Sequence, residues 1–333
     1  MEDRPDMSNT SLDKIALLSL NGNTPLAQRI SEYMDVPLLD ASVSHFADGE
    51  INIQINESIR GKDVYIIHSV SDPVNDNFME LMIAVDALRR ASTKQIICVL
   101  PYFAYTRSDR KSRAREPISA KLFSNMLEMG GVDRVIALDM HADQIQGFFD
   151  IPVDHLRAMP IFAKYFMDKM DDKQDDFVFV APDHNSMKRA RSFAEVFGSQ
   201  IAIVDQRSTE MEDIVPGVIG DVENKHCVIV DDLIDTGTRM INSAEALKNA
   251  GAIDVYAAAT HPIFSKNAAH DLQNSELKEI VVTDSIVVPD DCKFDKLKIL
   301  SVTELLGDSI RMTEMDESTS SLFEVRDGYT VIK

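Results

Sequence analysis

The chain has 333 residues, 44% hydrophobic and 27% charged, with 55 acidic against 34 basic side chains and a formal net charge of −21. That apolar fraction supplies a buried core and excludes a disordered acidic chain, while the negative charge argues against general binding to nucleic acid or a membrane surface, both polyanionic. No run approaches the roughly 18 apolar residues of a membrane-crossing helix, and the first thirteen residues (MEDRPDMSNTSLD) lack the basic-then-apolar order of a signal peptide. A cytoplasmic protein with small ligands is expected.

After the acidic tail, 1–13, the chain repeats one grammar: a short Val- and Ile-rich run, a polar turn, then a stretch of helical periodicity. This pattern predicts an α/β fold with mainly parallel sheets. In the first half the spacing predicts strands over 15–20, 51–55, 64–70, 96–100 and 135–140. A helix is expected over 76–91, with Phe78, Leu81, Met82, Val85 and Leu88 on one face, and another over 118–129 with Pro117 opening its first turn. Gly130 and Gly131 then stop that helix. From about Pro160 the scheme recurs, with strands expected over 177–180, 201–204, 228–230, 255–259 and 280–283. Between them 168–176 places five Asp among nine residues, which reads as a solvated connection. Length and repetition together predict two doubly wound domains, 14–157 and 158–323, followed by a tail, 324–333. Cys98, Cys227 and Cys292 are far apart and form no CxxC, so reduced core residues are expected.

Doubly wound sheets bind ligands beyond the carboxyl ends of their strands. The clearest such place is VIVDDLIDTGTRM, 228–240: an apolar strand, Asp231 and Asp232, then Asp235, Thr236, Gly237, Thr238 and Arg239 leading into a helix. Loop amides, two hydroxyls and a helix N-terminus suit a phosphate, and adjacent carboxylates suit sugar hydroxyls, so a phosphorylated pentose fits. The plain alternative is a strand ending in acids before an ordinary capped helix. A second cluster sets Arg107, Arg110, Lys111, Arg113 and Arg115 within nine positions of an otherwise acidic chain. It is either a flexible basic loop or an anion site. His141 lies between Asp139 and Asp143 at the end of a predicted strand, and Asp183 ends the corresponding strand of the second half. An imidazole and a carboxylate can share Mg²⁺ with nucleotide phosphates.

The 228–240 segment resembles the diphosphate-sugar motif of the phosphoribosyltransferase-type fold. HFADGE (45–50), PVNDNFMELMIAVDALRRAS (73–92), PYFAYTRSDRKSRAREPISAK (101–121), DRVIALDMHADQIQGFFDIPVDHL (133–156) and YAAATHPIF (256–264) narrow the resemblance to ribose-phosphate pyrophosphokinase, from about Lys14 to Phe323. The resemblance implies two phosphoribosyltransferase-type domains and pyrophosphoryl transfer from MgATP to ribose 5-phosphate. It implies ATP contacts at Phe46, Asp48, Glu50, Arg107 and Asp109, and metal or phosphate contacts at His141 and Asp183. It places ribose 5-phosphate on Asp231, Asp232, Asp235, Thr236, Gly237, Thr238 and Arg239. It also implies Mg²⁺ as cofactor and a homo-oligomer, hexameric in that family.

Three segments depart from the resembled pattern, as in divergent second copies found in some bacteria. Where Asp-Lys-Arg-Arg is expected the chain has Asp205, Gln206, Arg207 and Ser208, leaving Arg207 as the catalytic cation. Pro-Asp-x-Gly-Gly becomes Pro182, Asp183, His184, Asn185, Ser186, and the last Thr of Asp-Thr-Ala-Gly-Thr becomes Arg239. That arginine either binds the 5-phosphate or blocks its site. The departures leave a second reading, a non-catalytic regulatory subunit in a hetero-oligomer with an active homologue.

Overall fold

The computed structural model of the protein describes residues 14–170, 176–205 and 217–323. The chain divides into two compact units. The first contains residues 14–156, Ser285–Val287 and Thr303–Leu322. Its parallel sheet runs β1 (Ile15–Ser19), β4 (Asp63–Ile67), β5 (Gln95–Leu100), β6 (Arg134–Leu138) and β7 (Val153–Leu156), in that spatial order. Runs such as IICVL (96–100) are apolar and buried throughout because helices cover both faces of such a sheet. β2 (Ala41–His45) and β3 (Ile51–Ile55) form a separate antiparallel hairpin.

Helix α1 (Thr24–Met34) starts where Asn23 Oδ1 accepts the Leu26 N–H at 3.3 Å, and it buries Leu26, Ala27, Ile30 and Met34. Helix α2 (Val74–Arg90) lies two residues ahead of its predicted start. Helix α3 (Ser119–Gly130) starts later than predicted, with Pro117 outside it, because the preceding loop claims its first turn: Ala120 N–H donates to Ser108 O at 3.2 Å. Gly131, at φ +106°, stops it as expected. The late helix α8 (Thr303–Glu314), which chain order assigns to the second half, packs on α1. Tyr33 donates to Asp308 at 2.9 Å, and the Arg311 guanidinium lies 4.9 Å from the Tyr33 ring centre.

The second unit is built from Arg157–Asp284 and Val288–Val302. Its sheet runs β10 (Gly217–Ile219), β9 (Gln200–Asp205), β8 (Phe177–Ala181), β11 (His226–Ile234), β12 (Asp254–Pro262), β13 (Glu279–Thr283) and β14 (Leu297–Leu300). Only β10 is antiparallel to its neighbour. The chain builds from β8 to β9 in one direction and then returns to β11 on the other side of β8. The gap between the ends of β8 and β11 is therefore a topological switch point, where such sheets open a crevice. Helices α4 (Met159–Met170), α5 (Met187–Phe197), α6 (Thr238–Asn249) and α7 (Ala268–Gln273) complete the unit. The acidic stretch 168–176 is only partly a connection, because 168–170 close α4 with Met170 buried; 171–175 lie outside the described residues. Cys98 and Cys227 are core residues, whereas Cys292 sits half-buried in a short turn of 3-10 helix, Asp290–Cys292.

A buried polar cluster holds the ends of β1 and β4 together in the first unit. His68 Nε2 donates to Asn77 O at 2.8 Å and Nδ1 accepts the Gly22 N–H at 3.3 Å, which fixes a neutral imidazole. Glu80 accepts both Asn21 N–H (2.6 Å) and Asn21 Nδ2–H (3.0 Å) and lies 4.0 Å from His68. Gly22 has no room for a side chain, since a Cβ would fall 2.2 Å from Ser69 O. Burial pushes the His68 imidazole down to about 4 from its ordinary 6.5. Its contribution to stability is complete above pH 6.5 and lost as pH falls toward 4, where the unfolded chain gains a proton that the folded one refuses. At 1.36 kcal/mol per unit this amounts to about 3 kcal/mol. Urea unfolding at pH 7 and pH 4 should show the parent chain losing about that much more stability than His68→Gln; equal losses would contradict the assignment.

Candidate active site

The candidate site side chains of the second unit gather at its switch point. Asp231 and Asp232 were expected beyond a strand ending at Val230, yet both lie inside β11, with Asp231 in register with Ala259. The reason is β12, whose nine residues extend the parallel ladder and draw the acids into the sheet. Both carboxylates are buried, at 5% and 2% residue exposure. Such a pair must be hydrogen-bonded and neutralised.

Three other segments meet that need. Pro182 turns the chain out of β8, and Asp183 Oδ1 accepts Ser186 N–H at 3.0 Å. The Ser186 hydroxyl lies 3.1 Å from Asp183 Oδ1 and 3.0 Å from Asp231 Oδ1, bridging two acids with one proton. From α5, Arg189 Nη1 lies 3.3 Å from Asp231 and 3.6 Å from Asp232. From the first turn of α6, Arg239 Nη1 lies 3.0 Å from Asp183 Oδ2 and 3.1 Å from Asp231 Oδ2. Two guanidinium groups thus hold three carboxylates. Burial raises Asp231 above the ordinary carboxylate range and the charge of Asp232 raises it further, outweighing the opposing pull of Arg189 and Arg239. His184, the other basic newcomer to the 182–186 loop, is exposed, with Nε2 3.6 Å from Asp205.

β11 leads within one turn to the helix start. Gly237 is the N-cap of α6 at φ +79°, where a Cβ would press against Leu272 Cγ at 3.1 Å. No side chain caps this helix, and the Thr236 and Thr238 hydroxyls at its start lie 3.1 Å apart. Asp235 is half-buried and its carbonyl accepts Ser265 N–H at 3.0 Å. The geometry joins buried carboxylate acceptors to an uncapped helix N-terminus on one continuous segment.

The remaining expected residues lie on the first unit, except Arg207, which falls outside the described residues. Phe46, Asp48 and Glu50 occupy the β2–β3 turn: Phe46 N–H donates to Glu50 O (2.8 Å), Gly49 N–H to Phe46 O (2.9 Å) and Glu50 N–H to Asp48 Oδ1 (3.2 Å). The Phe46 ring stands 57% exposed on this hairpin. The basic loop is anchored at its base, where Tyr105 stacks 3.8 Å from Phe123 and its hydroxyl bonds Asn75. Arg107, Arg110, Lys111, Arg113 and Arg115 are exposed above that base, while Asp109 accepts Gln144 Nε2–H at 2.6 Å. Glu116 accepts the amides of Ser112 and Arg113, both at 2.8 Å, so the loop has internal order. His141 is half-buried just beyond β6, where the Met140 N–H donates to His155 Nε2 at 2.9 Å. Arg189 was not among the expected residues, and Ser186 was expected only as a departure in the 182–186 loop, without its contact to Asp231.

Comparison with known proteins decides the family. Residues 15–131 match the N-terminal domain of ribose phosphate pyrophosphokinase, and residues 211–324 match the phosphoribosyl synthetase-associated domain. A Lactiplantibacillus plantarum protein named putative ribose-phosphate pyrophosphokinase 2 is 50% identical over 320 residues, 96% of this chain and 99% of its own. The chain belongs to the ribose-phosphate pyrophosphokinase family. Within that family, ribose-phosphate pyrophosphokinase 2 of Enterococcus faecalis is 50% identical over 94% of this chain and 97% of its own. Phosphoribosylpyrophosphate synthetase from Mycobacterium smegmatis superposes with a TM-score of 0.87 at 36% identity, covering 91% of this chain and 99% of that one. The α/β fold with mainly parallel sheets is thus the phosphoribosyltransferase-type fold of a pyrophosphokinase.

The acid pair of this pyrophosphokinase depends on its arginines. Removing Arg189 strands Asp231 and Asp232 in a buried site, so Arg189→Met should cost about 2 to 4 kcal/mol of stability at pH 8. The cost should shrink at pH 5, because the raised Asp231 then takes up a proton and sheds its charge. Denaturant unfolding at both values checks this; a loss independent of pH would contradict the electrostatic account.

Proposed function

We propose that the chain is a cytoplasmic ribose-phosphate pyrophosphokinase that transfers the pyrophosphoryl group of MgATP to the 1-hydroxyl of ribose 5-phosphate, giving phosphoribosyl pyrophosphate and AMP. The observation that carries this reading is the segment from Asp231 to Thr238, where two strand-borne acids run directly into an uncapped helix N-terminus at a switch point. Asp231 and Asp232 accept hydrogen bonds from the ribose hydroxyls, with Asp235 beside them. Thr236, Gly237 and Thr238 take the 5-phosphate through amides and hydroxyls, and Gly237 allows close approach of the backbone. On the first unit, Arg107 and Asp109 serve ATP, and the exposed ring of Phe46 with Asp48 and Glu50 serves adenine.

His141 on the first unit and Asp183 on the second would each take a metal or phosphate contact, Asp183 as a carboxylate ligand of Mg²⁺. The oxygen donors fit a hard cation, since Asp183 Oδ2 and Asp231 Oδ2 converge on one cationic nitrogen in this structure. Among the described residues no group of three or more His, Cys, Asp or Glu is arranged as a metal cage. Mg²⁺ takes one or two carboxylates and completes its shell with water and phosphate oxygens. When bound, the ion neutralises charge on the ATP phosphates. The anomeric oxygen bonds to the β-phosphorus of ATP as the bond from that phosphorus to the AMP oxygen breaks. The chain contributes position and charge, with the sugar held at its hydroxyls and its phosphate, and Arg207 is the cation assigned to the transferring group. Met79, Leu122 and Met129, exposed on α2 and α3, support a homo-oligomer built through the first unit.

The replacement of two cations by Gln206 and Ser208 favours a second reading, a regulatory subunit of a hetero-oligomer. Losing one preorganised donor lowers a rate by about 10²- to 10³-fold. Release of AMP that depends on ribose 5-phosphate, measured on the pure chain with ATP and Mg²⁺, tests the function. Activity should appear and should rise in Gln206→Lys with Ser208→Arg, with little change in apparent sugar affinity, because the restored cations act on charge developing during transfer. No AMP from either chain, with both substrates bound, would overturn the kinase reading in favour of the regulatory one.

A further inference from the structure

Arg239 occupies an unexpected place. It stands on the first turn of α6, one residue after the Thr236–Thr238 cradle, yet its guanidinium turns away from that cradle toward the acids. One nitrogen, Nη1, reaches Asp183 Oδ2 at 3.0 Å and Asp231 Oδ2 at 3.1 Å. Those oxygens come from different strands, β8 and β11, and their other carboxylate oxygens are both within 3.1 Å of Ser186 Oγ. Ser186 therefore fixes the two carboxyl groups so that their outer oxygens point at a common position. A positive charge at that position satisfies what a divalent cation would satisfy there. Arg189 addresses the other oxygen of Asp231, Oδ1, at 3.3 Å.

We propose that Arg239 is an internal counter-cation that competes with the divalent cation for Asp183 and Asp231, so that metal binding requires its guanidinium to leave. The proposal rests on Asp183 being the metal carboxylate of the reading above. The arginine can leave without disturbing the core, because its side chain is 51% exposed while the Asp231 side chain is 4% exposed. Its release places a charge beside the phosphate cradle, so an anion bound there stabilises the released form. Cation and phosphate binding are thereby positively coupled through one side chain.

The test is a titration of the nucleotide-free, full-length chain with Mn²⁺, followed by electron paramagnetic resonance, with and without ribose 5-phosphate. Arg239→Thr and Arg239→Gln both remove the charge, and Gln keeps most of the side chain's length. Each folded neutral variant should bind Mn²⁺ about tenfold more tightly than the parent chain, and ribose 5-phosphate should tighten Mn²⁺ binding in the parent far more than in either variant. Arg239→Lys, which retains the charge, should stay near the parent. Unchanged or weaker Mn²⁺ binding in the neutral variants would overturn the proposal, as would failure of both to fold, which would make Arg239 a structural residue. The outcome is separable from the kinase assignment: tightened Mn²⁺ binding without AMP release contradicts the activity alone, and normal AMP release with unaltered Mn²⁺ binding contradicts the competition alone.

Discussion

Two adjacent carboxylates buried in the middle of a parallel sheet are the constraint on which the second unit is organised. A fold seeking stability alone would place apolar residues at 231 and 232, since a buried ion cluster repays its desolvation only with good geometry and full pairing. Here the pairing draws on three separate segments: the loop after β8 through Ser186, helix α5 through Arg189, and helix α6 through Arg239. Each partner also fixes an element. Arg189 ties α5 to β11, and Arg239 ties the start of α6 to the loop bearing Asp183. The acids are therefore held from three segments, and the helix start beside them carries no side-chain cap.

The first unit solves a different problem, presenting two loops from a stable base. The ring of Tyr105 on Phe123 anchors the basic loop, and Glu116 ties its crest to its own backbone. The His68, Asn21 and Glu80 cluster joins the strand ends beneath α2. Polar groups there are held by one another, so charge in this unit concentrates on the exposed loop residues. The net negative charge of the chain makes that basic loop a local exception.

Much of this was legible in the sequence. Continuous Val and Ile runs marked the buried parallel strands, because only a sheet covered on both faces demands them, and Gly131 marked the end of α3 by its conformational freedom. The edge strands β7, β10 and β14 escaped because they are short and half-exposed, which removes the apolar signal. Helix α8 was assigned by chain order, and no periodicity reports which unit a helix will pack against. The extension of β11 through Asp231 and Asp232 ran against the rule that charge ends a buried strand; only the length of β12 explains it. Arg189 carried no motif and Ser186 showed only as a departure from one, since their contacts depend on the approach of α5 to β11. Arg239 was visible as a departure, but its partners were not, because a side chain's direction follows from tertiary contacts.

The central claim is that these buried acids exist to hold sugar hydroxyls. Calorimetric titration of ribose 5-phosphate into the parent chain and into Asp232→Asn tests it most directly. The account predicts binding by the parent and a loss of about tenfold or more in the variant, the usual consequence of removing one acceptor from a buried polar site. Equal affinity in the two chains would contradict it.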